Sequence, residues 1–139
     1  MSILGIELKA SDAVLCVLSS RMGLVEIPQI KQRKIAINDS DDQTQVKAFF
    51  NAIKQFVVDH KITKVVIKQR PQKGKFAGGA VGFKLESLIQ LLDVEVEILA
   101  SNTIKKVLKD SPCTVDMKAA GLKQFQEGAM FTAWAEQYK

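Results

Sequence analysis

The chain has 139 residues, 47% of them hydrophobic and 25% charged, with a formal net charge of +5. That length suits a single domain over 1–139 with its own core, and the composition excludes a disordered chain. Two cysteines and one histidine argue against a disulfide framework or a zinc site, and the mild basicity is compatible with a nucleic-acid partner without establishing one.

Residues 2–9 and 12–20 read as two strands joined around Ala10-Ser11-Asp12, with a turn at Arg21-Met22-Gly23. Because a strand begins at once, no signal peptide is expected. No apolar stretch approaches the roughly 20 residues of a membrane helix, so no membrane partner is expected and a reducing cytoplasm is the default. Residues 24–37 read as a third strand, irregular near Pro28 and therefore at an edge. Asn38-Asp39-Ser40-Asp41-Asp42 supplies caps for a helix over 42–59, where Val46, Phe49, Phe50, Ile53, Phe56 and Val57 form one stripe. A β-branched run over 62–67 predicts a short buried parallel strand. A loop with glycines at 74, 78 and 79 leads to a helix near 80–92, then a strand over 94–99. Ser101-Asn102 caps a short helix to about 109, Pro112 breaks it, and a last helix runs from roughly 116 to 138.

This order, βββ-α-β-α-β-α-α, predicts an α/β fold. Its sheet is mixed and five-stranded, with an antiparallel meander followed by two parallel strands, and helices flank it.

Glu7 closes the apolar run Ile3-Leu4-Gly5-Ile6. A carboxylate at the end of a buried strand costs several kcal/mol unless it is paired or holds a cation, and the residues alone leave both open. Lys64, Lys68, Arg70, Lys73 and Lys75 crowd the next strand and loop with no acidic residue among them. They read either as a phosphate-binding loop or as solvated lysines. Lys105, Lys106, Lys109, Lys118 and Lys123 around Pro112 border a duplex groove on one reading and form a polar helix face on the other. His60 reads as a helix-end residue, Asp39, Asp41 and Asp42 as caps, and Asp12 as a turn residue.

The ordered set of elements resembles the ribonuclease-H-like superfamily, in its Holliday-junction resolvase branch. Ile3-Leu4-Gly5-Ile6-Glu7 is similar to the family's first strand, Val65-Val66-Ile67-Lys68-Gln69 to its fourth, and residues 101–125 to its basic helix and Lys-rich last segment. A small bacterial family of uncharacterised proteins is a further resemblance. In resolvases, carboxylates of the first strand, fourth strand and last helix hold two Mg²⁺ ions that drive phosphodiester cleavage. The resemblance places Glu7 first, Lys68 second and Glu127 third, so one carboxylate has become an ammonium. At about 5 Å from a divalent cation and an effective dielectric of about 20, that ammonium costs roughly 7 kcal/mol.

On a helical wheel, Ala120, Glu127, Phe131, Trp134 and Tyr138 share a face, which aims Glu127 at the sheet. The expectation is a Glu7–Lys68–Glu127 ion cluster in place of metals, with Lys68, Arg70, Lys73, Lys75, Lys105 and Lys106 contacting phosphate. Functionally, this is a resolvase-like protein with a degraded metal site that binds DNA or RNA, or acts as an interaction module, without cutting. No cofactor is expected. The alternatives are a nuclease using Mg²⁺ or Mn²⁺ at Glu7 and Glu127, and a binder of small molecules or nucleotide phosphates. By resemblance, a homodimer is expected.

Overall fold

The structure, a computed structural model, describes residues 1–70 and 79–139. Two long strands begin it, β1 (Ser2–Lys9) and β2 (Asp12–Arg21), paired antiparallel from Ser2↔Ser19 to Lys9↔Asp12. Short strands β3 (Leu24–Glu26) and β4 (Lys34–Ala36) follow. Helix α1 (Gln43–Asp59), β5 (Lys64–Lys68), α2 (Ala80–Gln90), β6 (Glu95–Leu99), α3 (Ser101–Asp110) and α4 (Glu127–Tyr138) complete the order. The sheet runs β3-β2-β1-β5-β6, with β4 also on β2; β5 is parallel to both β1 and β6.

The expected third strand is two strands. Both pair with β2, β3 at Ser19–Arg21 and β4 at Asp12–Val14. Pro28 lies in the stretch between them, where a residue without an N–H cannot continue a ladder. Among the described residues the sheet therefore has six strands and not five. Met22 (φ +53°) and Gly23 (φ +81°) form the two-residue loop before β3, a left-handed pair that suits the twist of a hairpin.

Alternation along β1 sorts the two faces. Leu4, Ile6 and Leu8 join Leu15, Ile53, Phe56, Ile67, Leu85 and Ile89 beneath α1 and α2. Ile3 joins Leu18, Val66, Ile104 and Trp134 beneath α3 and α4. Asp42 caps α1, its carboxylate accepting from Thr44 N at 3.0 Å, and His60 closes it with its ring stacked on Phe56.

The last helix starts at Glu127, eleven residues later than the wheel suggested. Gly121 is the reason. Its φ of +78° is left-handed, and its carbonyl accepts from Arg33 Nη2 at 3.1 Å. Asp116 Oδ1 caps a single turn through Lys118 N, and Leu122 N returns to Met117 O at 2.8 Å, so that turn closes on itself. Gln126, fully buried, then anchors the chain to the sheet. Its amide donates to Leu15 O at 2.9 Å and accepts from Lys123 N at 2.9 Å. The helix that follows lies directly on β1: a Cβ at Gly5 would stand 2.9 Å from both Ala133 N and Ala133 Cβ.

Candidate functional site

The register of β1 and β5 places the site. Gly5 is opposite Val66 and Ile6 opposite Ile67, so Glu7 and Lys68 are the next pair on the α4 face. Lys68 Nζ donates to Glu7 Oε2 at 3.1 Å. The other oxygen, Oε1, lies 3.3 Å from Lys9 Nζ, which also donates to Phe125 O at 3.1 Å. The Glu7 side chain is 16% exposed and that of Lys68 37%. Lys9 was not foreseen from the sequence; the pleat rule puts it two residues along the same face as Glu7, and that signal was available.

Glu127 does not join this pair. It is the first residue of α4, where a carboxylate complements the positive helix end, and its Oε2 accepts from Gln124 Nε2 at 3.4 Å. Among the described residues it forms no ion pair. The late helix start explains the difference: Ala120 lies outside the helix, and it is Ala129 and Ala133 that meet the sheet at Gly5. The residue that does meet Glu7 is Gly128. A Cβ there would stand 2.6 Å from Glu7 Oε2 and nearer still to Oε1, so the carboxylate occupies the space a side chain would fill.

Arg70 reaches to β1 and α2. Its Nη1 donates to Leu8 O at 2.6 Å, its guanidinium lies 5.9 Å from the Phe83 ring, and it packs on Gly82 of α2. Lys105 and Lys106 are exposed on α3, whose buried side carries Ile104 and Val107. Lys73 and Lys75 lie outside the described residues. Ser101, expected as a cap, is the first residue of α3; the cap position is Ala100, and Ser101 Oγ donates to Gln69 O at 3.5 Å.

Lys64, grouped by sequence with the basic loop, stands at the other end of β5, about 13 Å from Lys68 at the usual strand rise. It bonds Glu136 and lies 2.9 Å from Glu97 and 3.1 Å from Glu95. Lys139 Nζ reaches Glu97 at 2.6 Å and Glu136 at 2.9 Å. Burial pulls the Lys64 pKa down, but bonds to Glu136, Glu97 and Glu95 outweigh it and hold the group well above its ordinary 10.5. Bonds from Lys139 and Lys64 hold Glu97 down at about 2. The periodicity of α4 did not single out Glu136, yet its side chain is 5% exposed. Burial pushes the Cys16 thiol up to about 12, an inert core group.

Around Glu7 the described residues bring ammonium groups and not a second carboxylate. Both oxygens of Glu7 face ammonium groups, and Glu127 is bonded elsewhere. Among the described residues no group of three or more His, Cys, Asp or Glu side chains converges as metal ligands do.

A cleft of about 370 Å³ opens beside Lys68 between α3 and α4. A larger one, about 560 Å³, lies at the β3 edge around Met1, Met22 and Leu24. The second is remote from Glu7 and brings no cluster of lysines together, so size does not pick the site.

The family model described as "Protein of unknown function (DUF3010)" matches residues 1–136. The chain belongs to this family. No curated protein matches it in sequence. Solved structures do match in fold. The Thermus thermophilus RuvC structure is similar over 99% of this chain and 94% of that one, with a TM-score of 0.74 and 11% identity. T. thermophilus RuvC in complex with Holliday junction substrate gives 0.69 at 12% identity, over 99% of this chain and 93% of that one. The yeast mitochondrial Holliday junction resolvase Ydc2 gives 0.55 at 12% identity, over 98% and 79%. The DUF3010 chain therefore has the ribonuclease-H-like fold of the resolvases, as its element order implied. Among the described residues no helix is long and apolar enough to cross a membrane.

Proposed function

We propose that this protein binds nucleic acid through the Glu7 end of its sheet and does not cut it. The observation that carries the reading is the Lys68 ammonium 3.1 Å from Glu7 Oε2. In a resolvase-like frame this ammonium fills the cation position without supplying a Lewis acid or an activated water. Lys9, Lys68, Lys105 and Lys106 are the described cations of this region, and phosphate backbones are their natural partner. One solved relative is a RuvC in complex with Holliday junction substrate, which makes branched DNA the first substrate to try. By the same resemblance the protein is a homodimer, which sedimentation tests.

The test is a binding and cleavage series on branched DNA, duplex DNA and single-stranded RNA, with Mg²⁺ and Mn²⁺ titrated. Binding at low salt without cleavage is expected, and Lys105→Ala/Lys106→Ala is expected to reduce the salt slope by about 2. Metal-dependent cleavage that disappears in Glu7→Ala would restore the nuclease reading. Absence of any nucleic-acid binding at low salt would remove the proposal.

A further inference from the structure

The cleft between α3 and α4 has two unlike halves. Lys68, Lys105 and Ser101 line one; Ile104, Leu108 and Phe131 line the other. Gly128 brings the α4 backbone to the boundary, with the Glu7 carboxylate packed against it. The topology accounts for the polar half. Parallel strands β5 and β6 both end here, and α3 starts two residues after β6. No side chain caps the first turn of α3, so its first N–H groups keep their hydrogen-bonding capacity at the positive end of the helix, where Ser101 borders the cleft. The amphipathic turn of α3 accounts for the other half. Ile104 is buried and Leu108 half-buried, while Lys105 is exposed beside them, so charge stands on the rim above an apolar floor.

Volume, paired ammoniums and an aromatic wall together select a compact anion joined to a flat apolar body. We propose that this cleft holds a single nucleotide, with its phosphate between Lys68 and Lys105 at the start of α3 and its base against Phe131 and Leu108. The inference rests on the nucleic-acid reading above and deepens it, naming one unpaired nucleotide as the recognised unit. A space of about 370 Å³ lies at the lower end of the roughly 300–1,000 Å³ of small-molecule sites, room for a nucleotide and too little for a duplex. Glu7 keeps Lys68 oriented at 3.1 Å, so the ammonium bridges its carboxylate and the incoming phosphate. Stacking on Phe131 tolerates any base, which predicts weak base preference.

Titration calorimetry on the full chain tests this with AMP, adenosine and inorganic phosphate, then with a short single strand carrying or lacking a 5′-phosphate. AMP is expected to bind about tenfold or more tightly than either half alone. Lys105→Glu is expected to weaken AMP about tenfold, and Phe131→Leu to weaken AMP while sparing inorganic phosphate. Lys54→Glu, the same charge change on α1 across the sheet, is the control and is expected to leave AMP binding within about twofold. Lys105 is exposed, so its variant is expected to fold, and an unchanged unfolding midpoint checks both pocket variants. A phosphorylated strand that binds more tightly than AMP identifies the strand end as the source of the nucleotide; equal affinity identifies the free nucleotide. AMP binding no tighter than phosphate, or equal losses in Lys105→Glu and Lys54→Glu, would overturn the pocket. If nucleic acid still binds in that case, the proposed function survives alone. If AMP binds and no nucleic acid does, the pocket survives and the function falls.

Discussion

Lys64 and Lys68 begin and end the same five-residue strand and project on the same face, yet their surroundings are opposite. Around Lys64 stand Glu95, Glu97, Glu136 and Lys139, three carboxylates to two ammoniums. Around Lys68 stand Glu7 and Lys9, one carboxylate to two ammoniums. The first cluster has no cationic capacity to spare. The second keeps one net positive charge beside a cleft and the starts of two helices. Alike in sequence, the two lysines differ in whether an anion from outside has anything to gain.

The largest expected effect lies at the closed end. Lys64→Met leaves Glu136 buried with only Lys139, and is expected to destabilise the fold by about 3 kcal/mol, read as a lower urea midpoint at unchanged m. Nucleic-acid binding should not change with it, because Lys64 lies away from the cleft.

Acid should weaken the same end. Glu97 is held at about 2, so its contribution is full above its ordinary 4.5 and lost as pH falls from there toward 2. Lys64 is held above its ordinary 10.5, so its contribution is full below that value and lost in stronger base. Thermal melts across acid pH should show Glu97→Gln flattening the fall between pH 4.5 and 2.

Gly128→Ala is the next test, at the open end. Its methyl would displace the Glu7 carboxylate, and a loss of about 1–2 kcal/mol is expected, with weaker DNA binding as Lys68 loses its partner. Unchanged stability would mean that Glu7 does not rest on α4. The smallest effect belongs to Lys68→Met. With Lys9 still on Glu7, it should cost about 1 kcal/mol or less, yet reduce nucleic-acid affinity severalfold. If its stability cost matched that of Lys64→Met, the contrast between the two ends would be void.

Much of this was legible in the sequence. The alternation of β1 and the β-branched core of β5 fix which residues share a face, and the resemblance to resolvases is what set Glu7 beside Lys68. Glu127 was misplaced because a wheel drawn from 116 assumes an unbroken helix, and the left-handed Gly121 breaks it. The Lys64 cluster was hidden for a different reason. Its members come from β5, β6 and α4, and no local spacing relates Glu136 to Lys64; only the parallel order of the strands brings them together. Pro28 did announce the irregular third strand, although not that β4 would return to the far end of β2.

The saturated cluster has a mechanical consequence. Clamped at Lys64 and hydrogen-bonded along both edges to β1 and β6, β5 behaves as a stiff rod pinned at its base. Lys68 rides at the tip of that rod, so a ligand arriving there meets a pre-aimed ammonium and can shift side chains but not the strand beneath them. Amide exchange along β5 should accordingly be as slow without a ligand as with one.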